Sequence, residues 1–379
     1  MQNLNEQFPL DPSICYLNHA AVSPWPLCAS EALKSFAQEN VATGAQHYPA
    51  WLQTEQALRE KLRALINADS IEEIALSKNT SEALSIIAYG LDWKDGDEVL
   101  ISNEEFPSNR IVWESLKPYG VRVTEVDIHS RATHEALTQA ISSKTRLISI
   151  STVQYASGKR TDWESLGKVC RDYGILLCLD AIQSLGALPF DQQKTQADFI
   201  VADGHKWMMG AEGLALLYVK QKHIPLLKLH QFGWHMVKQR GNYDLHEWEP
   251  ANDATRFECG SPNMLGAQVL NASLGLLLDV GIDSISKAIQ GHTEYLINAS
   301  KTLRDVHCLS PENWQDRAGI VTLKPEDVSL ATLHKALMNR GVVCAQRGGG
   351  IRFSPHFYTQ TTILDRALNI FEDEIKRLR

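Results

Sequence analysis

The stretch "ADGHKWMMG", Ala202–Gly210, follows a short apolar run and places a lysine close behind it. The preceding run, "DFIV" at 198–201, is typical of a buried strand, whereas lysine is among the residues least often buried. In an open α/β sheet, ligands bind beyond the carboxyl ends of the strands. The position of Lys206 therefore indicates a ligand site at the edge of a sheet.

The sequence around this stretch alternates between strand and helix patterns from about residue 70 to residue 220. Several apolar runs are nearly continuous, as expected for a sheet that is covered on both faces. The predicted strands are Glu98–Ser102, Val121–Val126, Arg146–Thr152, Ile175–Asp180, Asp198–Ala202 and Leu214–Val219. Amphipathic stretches such as "DWESLGKVCRDYG" at 162–174 lie between them. The alternation predicts an α/β fold with a doubly wound, mainly parallel sheet.

The pattern changes after this region. Residues 220–262 are rich in His, Trp, Gly and Asn and show little periodicity. A helical pattern begins at Gly266, and short strands are predicted at Gly319–Leu323 and Gly341–Ala345. We therefore expect a large domain at 1–265 and a smaller α+β domain at 266–379, with an N-terminal arm at 1–15 that packs on the smaller domain.

Composition disfavours several classes of partner. The chain has 379 residues, of which 44% are hydrophobic, and its formal net charge is −8. A net acid without clustered basic runs disfavours nucleic acid and anionic membrane surfaces. The seven cysteines form no Cys-x-x-Cys pair, and no H-E-x-x-H metal motif is present. No apolar run reaches the ~18 residues of a membrane span. These features predict a cytoplasmic protein with reduced thiols, without a membrane anchor and without a metal.

Polar residues follow three of the expected strands. Asn79 and Glu82 resemble a helix capping box, whose free N–H groups would attract an anion. Asp180 ends one strand, and Lys206 follows another about 25 residues later. Taken singly, these signals are weak: a capped helix without a ligand is the more common explanation of the first, and a strand-terminal Asp is often only a helix N-cap. Their order matches an aldehyde cofactor that needs an anion site, a carboxylate and an amine, and pyridoxal 5′-phosphate satisfies this set.

From "YLNHAAVSP" at 16–24 to "IRFSPHFYT" at 351–359, the chain resembles the class V aminotransferase family of fold-type-I pyridoxal-phosphate enzymes. This family includes cysteine desulfurases, selenocysteine lyases, kynureninase and isopenicillin-N epimerase. The resemblance implies the fold-type-I architecture, in which a large doubly wound domain is joined to a smaller C-terminal α+β domain.

The resemblance also implies contacts with the cofactor. Lys206 corresponds to the lysine that binds the cofactor as a Schiff base, and Asp180 to the partner of the pyridine nitrogen. Gln183 corresponds to the residue that hydrogen-bonds the ring hydroxyl, and His205 to the phosphate-side residue before the lysine. Phe106, in "EEFPSN", occupies the place of the ring that stacks on the cofactor.

Further residues are placed around the phosphate and the cofactor face. Thr80 and Ser81 match the phosphate-binding pair, and Tyr155 and Gln154 are expected near the ring substituents, with Gln154 on the substrate side. In "RFECGSPN", Ser261 matches a hydroxyl that reaches the phosphate of the neighbouring subunit's cofactor. The resemblance therefore implies a homodimer with shared active sites.

Arg352 matches the arginine that binds the substrate's α-carboxylate, a role that suits its planar fork. His19 lies in a turn that the family places near the substrate pocket. The expected substrate is thus an α-amino acid, and family membership makes an aminotransferase the plainest expectation. A C–S or other β-lyase of the cysteine or cystine type, and an amino-acid epimerase, stay open as alternatives. A non-catalytic cofactor-binding protein is a further alternative, against which Lys206, Asp180 and Arg352 argue.

Two departures from the family pattern are informative. Asp203 stands where relatives often have Ser or Thr, and an ionised Asp would repel a phosphate, so we expect its side chain to point elsewhere.

Cysteine desulfurases carry a nucleophilic cysteine on a loop near the substrate arginine, but only Gly348, Gly349, Gly350 and Ile351 lie between Arg347 and Arg352. Cys344 is expected in the core, so chemistry through an enzyme-bound persulfide is not expected.

Overall fold

The computed structural model describes residues 4–244 and 246–379. The strands are β1 (Cys15–Tyr16), β2 (Ile74–Ser77), β3 (Glu98–Ser102), β4 (Arg122–Val126), β5 (Thr145–Ser151), β6 (Leu176–Asp180), β7 (Phe199–Asp203), β8 (Ala215–Val219), β9 (Val306–Cys308), β10 (Val321–Pro325), β11 (Val342–Val343), β12 (Ala345–Arg347) and β13 (Gly350–Phe353). The helices are α1 (Leu4–Gln7), α2 (Leu27–Thr43), α3 (Tyr48–Ile66), α4 (Thr80–Gly90), α5 (Ser108–Glu114), α6 (Thr133–Ala140), α7 (Trp163–Tyr173), α8 (Gln192–Thr195), α9 (Met264–Val280), α10 (Ile282–Ser300), α11 (Leu330–Asn339) and α12 (Thr361–Leu378).

The central sheet has seven strands in the order β2-β8-β7-β6-β5-β3-β4. Strands β3 to β7 are mutually parallel, whereas β8 runs antiparallel to both β2 and β7. Every residue of β3, β7 and β8 is buried, because helices cover both faces of the sheet. The predicted doubly wound, mainly parallel α/β sheet is confirmed, and β2 is a strand that the sequence did not predict.

The parallel register brings the carboxyl ends of β5, β6 and β7 to one edge of the sheet. Ser151 is paired with Asp180, and Asp180 with Val201, so these strand ends lie side by side. Helix α4 begins at the same sheet, and its start is capped as predicted: Glu82 N donates to Asn79 Oδ1 at 2.9 Å. The Glu82 carboxylate in turn accepts from Lys78 N at 2.6 Å. This edge is where the fold can hold a ligand.

A second, four-stranded antiparallel sheet in the order β12-β13-β10-β9 packs with α10, α11 and α12 around its own apolar core. The predicted strand at Gly319–Leu323 is β10, which is shifted by two residues. The predicted strand at Gly341–Ala345 is wrong as a single element, because the chain forms β11 and β12 there. Strand β11 pairs with β1 rather than with the four-stranded sheet.

The N-terminal segment contacts residues of the C-terminal part of the chain, near the second sheet. Strand β1 runs parallel to β11, and the Phe8 ring stacks on Tyr358 with centroids 3.6 Å apart. Residues 1–3 of the predicted arm lie outside the described residues. The predicted boundary between residues 265 and 266 falls inside α9, which packs against α2 and α3. The division into two domains stays a prediction.

Among the described residues, no single helix has both the length and the hydropathy of a membrane span. Helices α9 and α10 meet that criterion only when they are taken together, across a bend of 82°.

Candidate active site

Lys206 lies just beyond the end of β7, and its side chain is buried, with 8% of the residue exposed. Burial disfavours the charged amine and lowers its pKa from the usual 10.5 to about 8, although Asp180 and Asp203 oppose this shift. Its Nζ lies 5.5 Å from the centre of the Phe106 ring. The structure therefore holds a lysine whose neutral, nucleophilic form is favoured relative to that of a free lysine.

Trp207 holds the backbone beside Lys206 in place. Its indole N–H donates to Gln183 Oε1 at 2.8 Å, and its ring is fully buried. Glycines make room for it: a Cβ on Gly186 would lie 2.4 Å from the Trp207 carbonyl oxygen, and one on Gly319 would lie 2.4 Å from the ring. Trp207 and the two methionines after it are buried in the core, so they pack around the lysine.

Asp180 is the last residue of β6 and is almost fully buried. Burial raises its pKa to about 7, and the nearby acids Glu105 and Asp203 act in the same direction. The N–H of Ile182 and the charge of Lys206 oppose that shift. A protonated ring nitrogen placed here would stabilise the ionised carboxylate, which is the role that the sequence predicts for Asp180.

Gln183 is hydrogen-bonded to the turn that contains His19. Gln183 Nε2 donates to the Ala20 carbonyl oxygen at 3.0 Å, so the turn that carries His19 is bonded to the residue predicted to reach the ring hydroxyl. His19 is fully buried, and its ring nitrogens lie 2.8 Å from Ser354 O and 2.7 Å from the Tyr358 hydroxyl. Both nitrogens are therefore engaged within the protein, and burial lowers the pKa of His19 well below its usual value. Its predicted contact with substrate stays a prediction.

On the predicted phosphate side of the site, the start of α4 lies against the end of β7. The buried Thr80 hydroxyl accepts from Asp203 N at 3.1 Å, which joins the two elements. Ser81 is exposed, and its hydroxyl donates to Ser108 Oγ at 2.8 Å. His205 Nδ1 lies 2.9 Å from Asp203 Oδ1, although neither atom makes a well-aligned hydrogen bond. The Asp203 carboxylate thus faces His205.

An aromatic pair lies on the other side of Lys206. The Phe106 and Tyr155 rings pack edge to face with centroids 5.2 Å apart. Phe106 is 40% exposed. The two residues that the sequence assigns to the cofactor face are therefore in contact with each other, and Phe106 lies beside the lysine.

Glu105 was not predicted as a site residue, yet its buried carboxylate organises this region. One of its oxygens accepts from Ser102 Oγ, Gln154 Nε2 and Ser151 N at 2.8 to 3.0 Å. The other accepts from Asn109 Nδ2 at 2.8 Å and from Ser151 Oγ at 2.6 Å. The signal in the sequence was its place directly before Phe106, after a buried strand.

The same contacts orient Gln154. Its Nε2 donates to Glu105 and to Ser102, so the amide nitrogen is committed to the network. Its Oε1 is buried and has no hydrogen-bond partner in the described part of the chain. Gln154 therefore presents an acceptor, rather than the donor that a substrate carboxylate would need.

Arg352, on β13, is buried, and its Nη1 donates to Tyr155 O at 2.6 Å. Its Nε has no partner, and no carboxylate of the described residues forms an ion pair with it. Burial, together with the nearby charge of Arg347, lowers the pKa of Arg352 to about 10. A buried guanidinium without an acid partner is costly unless a ligand supplies the anion. Arg352 is thus suited to a substrate carboxylate.

Ser261 stands apart from these residues. It is exposed and lines a surface cavity of about 290 Å³, together with Ser77, Lys78 and Glu82. Its predicted contact is with the cofactor phosphate of a neighbouring subunit, and this contact stays a prediction.

One other group of side chains has ligand-type atoms close together. Atoms of Glu55, His235 and Glu258 lie within 4.8 Å of one another. Arg59 already pairs with both carboxylates, at 2.5 Å and 2.6 Å. A guanidinium at this position opposes the approach of a metal cation.

The residues around Lys206 fit the predicted cofactor. Buried atoms without a hydrogen-bond partner in the described residues include Gln154 Oε1 and Arg352 Nε. Buried polar atoms are normally satisfied, so these two unpaired atoms are consistent with a place where a polar ligand binds. The buried amine of Lys206 and the carboxylate of Asp180 supply the two groups that pyridoxal phosphate requires.

Comparison with known proteins bears on this assignment. The family model described as aminotransferase class-V matches residues 15–361. The chain belongs to the aminotransferase class-V family. It is therefore a pyridoxal-phosphate-dependent class V enzyme with the fold-type-I architecture, and the predictions of family, fold, enzyme class and cofactor are confirmed.

Several relatives of this class V enzyme are named for sulfur chemistry. A probable cysteine desulfurase of Pyrococcus abyssi is 28% identical, over 100% of this chain and 98% of that protein. One of Halalkalibacterium halodurans is 31% identical, over 83% of this chain and 78% of that protein. Among solved structures, the apo cysteine desulfurase of Thermococcus onnurineus NA1 matches with a TM-score of 0.90 and 23% identity, over 99% of this chain and 98% of its own. The cystine C-S lyase C-DES, in complex with cysteine persulfide, matches with a TM-score of 0.88 and 24% identity, over 97% and 99% of the two chains.

Proposed function

We propose that this class V enzyme is a C–S β-lyase, which cleaves the C–S bond of a cysteine-derived α-amino acid without forming a persulfide on a protein cysteine. The names of its relatives support the C–S chemistry. The observation that carries the proposal is the short β12–β13 hairpin, which stands where the resemblance places the reactive cysteine of the desulfurases.

This hairpin closes through only two residues. Arg347 is paired with Gly350, and Gly348 and Gly349 form the turn with φ angles of +58° and +78°. Glycine adopts this conformation without steric cost, and the turn type suits a two-residue hairpin. A Cβ on Gly348 would lie 2.8 Å from the Cβ of Ala156, so the turn packs closely against the rest of the protein. The turn therefore leaves no room for a loop that carries a cysteine.

Cys344 is the cysteine nearest to Arg352 in sequence, and it faces the core of the second sheet. It is 3% exposed and belongs to the apolar cluster that includes Leu333 and Phe353. Burial raises the pKa of its thiol to about 12, so the sulfur is not a thiolate at neutral pH. It is therefore suited to packing and not to nucleophilic attack.

The remaining residues have roles that follow from their geometry. The guanidinium of Arg352 binds the α-carboxylate, and Phe106 lies against the lysine-bearing side of the site. When bound, the cofactor holds the substrate's amine and accepts the electron pair released at Cα. The neutral amine of Lys206 takes the Cα proton, because burial disfavours its charged form.

The reaction balances with water as the only co-reactant. Loss of the Cα proton to Lys206 is followed by cleavage of the Cβ–S bond, and the sulfur leaves with the bonding electrons as a thiolate or persulfide. The three-carbon product then takes up water and yields pyruvate and ammonia. No amino-group acceptor is consumed, which separates this proposal from transamination.

The test uses the purified holoenzyme and a panel of cysteine, cystine and S-alkyl cysteines, with and without a keto acid. We expect pyruvate and ammonia in equal amounts without the keto acid, and undiminished turnover in Cys344→Ala. Lys206→Ala should lose turnover and the visible absorption band of the lysine-bound cofactor. Lys168→Ala, which removes an exposed lysine on α7, is the matched control and should retain both.

Other results would overturn the proposal in distinct ways. Turnover only with a keto acid would establish the aminotransferase that family membership suggests, and loss of optical purity without pyruvate would establish an epimerase. A cofactor band that no amino acid alters would indicate a non-catalytic cofactor-binding protein. Loss of turnover in Cys344→Ala with a native cofactor band would indicate a persulfide mechanism.

The proposal includes a homodimer, which the family resemblance supports through Ser261. Sedimentation of the holoenzyme should give twice the chain mass. Ser261→Ala should weaken cofactor binding without changing the mass. A monomer with full cofactor affinity would refute this part alone.

A further inference from the structure

We propose that the substrate carries a second anionic group, which binds Arg347 at the tip of the β12–β13 hairpin while Arg352 binds the α-carboxylate. This inference rests on the proposed function, since it concerns the amino acid that the same site accepts. It narrows the substrate to a dianionic cysteine derivative.

The strand register places the two arginines on one face of the hairpin. Ala345 is paired with Arg352, and Arg347 with Gly350. Residues that are paired across two strands project from the same face, and so do residues two apart on one strand. Arg347 and Arg352 are therefore diagonal neighbours, a relation that puts their Cα atoms about 7–8 Å apart. Gln346 projects from the opposite face.

A third cation lies on the same face. Thr322 is paired with Arg352 across β10 and β13, so Lys324, two residues further along β10, lies on that face beside Gly350. Gly350 is buried, and a Cβ there would lie 2.8 Å from Thr322 Cγ2, so the backbone is closely packed at this point of the face. Both of these side chains are exposed, whereas Arg352 is buried. This face therefore carries the buried guanidinium of Arg352 and two exposed cations, Lys324 and Arg347.

The nearby carboxylates act on Lys206 and not on Arg352. Asp180 and Asp203 act on Lys206, and both raise the pKa of its amine. In the described part of the chain, neither Arg347 nor Arg352 has an ion-pair partner; Arg347 Nη1 donates only to the carbonyl oxygen of Gln346, at 2.9 Å. The charge of Arg347 also opposes the charged form of Arg352. A substrate that places one anionic group against each arginine relieves this repulsion.

The hairpin is fixed in position against the segment that contacts Arg352. Thr322 Oγ1 donates to Ala156 O at 2.6 Å, and Gly348 packs against Ala156. The adjacent carbonyl oxygen of Tyr155 accepts from Arg352 at 2.6 Å. The hairpin backbone is thereby held relative to Arg352, and a second anionic group needs to meet only the Arg347 side chain.

The test uses two substrates of the same size that differ in charge, S-carboxymethylcysteine and S-carbamoylmethylcysteine. For each, KM is measured from pyruvate release, and the dissociation constant from the change in the visible cofactor band. We expect the wild-type enzyme to bind the carboxylate about fivefold more tightly than the amide, the upper end for an exposed ion pair. Arg347→Ala should abolish this preference, and Arg347→Lys should retain part of it.

Ionic strength and a control variant separate binding from folding. The preference should shrink as salt is raised from low to physiological strength, because the second contact is exposed. Arg171→Ala, which removes the same charge from an exposed position on α7, should leave the preference unchanged. Equal affinity for the two compounds in the wild type, or a preference that survives in Arg347→Ala, would overturn the inference. Preferential binding of the carboxylate without pyruvate release would instead refute the lyase and leave the second anionic contact standing.

Discussion

Replacing the buried carboxylate of Glu105 by an amide tests the polar network beneath the site. In Glu105→Gln, one acceptor oxygen becomes an NH₂ group, which must face donors. On one side, the backbone N–H of Ser151 cannot become an acceptor. On the other side, the amide of Asn109 cannot reverse, because its Oδ1 already accepts from Trp113 Nε1 and Ser149 Oγ.

The cost follows from these contacts. A buried donor left without a partner costs about 2 kcal/mol, and the loss of the negative charge weakens the remaining hydrogen bonds by about 1 kcal/mol in total. We therefore expect Glu105→Gln to lower the free energy of unfolding by about 3 kcal/mol. The measurement is urea unfolding of the apoenzyme, followed by tryptophan fluorescence.

Glu104 provides the matched control, since it is the adjacent glutamate. Its carboxylate contacts the Ser157 hydroxyl at 2.7 Å and His129 Nδ1 at 3.1 Å. A hydroxyl and an imidazole can each donate or accept, so an amide at position 104 can be accommodated. Glu104→Gln should therefore cost less than about 1 kcal/mol. If Glu105→Gln destabilises the protein no more than Glu104→Gln does, the assignment of the network is refuted.

Three further predictions concern the site itself. Arg352→Lys should lower kcat/KM by about 10- to 100-fold, because an ammonium cannot form the paired contacts of a guanidinium with a carboxylate; an unchanged kcat/KM would refute its role. Gly319→Ala should lower stability by about 2 kcal/mol and weaken the cofactor band, because the new Cβ would lie 2.4 Å from the Trp207 ring; a native melting curve would contradict this. Because burial lowers the pKa of Lys206, the neutral amine is lost only as the pH falls below about 8, and the rate of cofactor attachment in stopped-flow absorbance should rise with pH and level off there rather than near 10.5. A rate that still rises above pH 9 would refute the shift.

The main sheet could be predicted because its strands are short apolar runs separated by amphipathic helices. Glu98–Ser102 has the predicted bounds, and the ends of β6 and β7 place Asp180 and Lys206 as expected. The antiparallel direction of β8 was not predictable in the same way. A strand buried on both faces has the same apolar pattern whether its neighbours run parallel or antiparallel.

The missed features depend on contacts between distant parts of the chain. In the sequence pattern, Glu105 is a polar residue of a predicted loop. Only the folded chain brings Ser151 and Gln154 to its carboxylate. Likewise, the sequence "QRGGGIR" indicates a turn, but it does not indicate that β13, the strand after this turn, pairs with β10. Long-range pairing of this kind decides which side chains share a face, and the pattern of a single segment does not contain it.

The distribution of charge orients an amino acid in this site. Asp180 and Asp203 raise the pKa of Lys206, whereas the charge of Arg347 acts on Arg352 at the hairpin. A substrate bound with its amino group toward Lys206 places its carboxylate against cations, whereas the reverse orientation places the carboxylate against two acids and the amine against two guanidiniums. Only the first orientation brings the α-amine to the group that must exchange with it. The same charges that hold the substrate therefore direct its amino group, and not its carboxylate, toward Lys206.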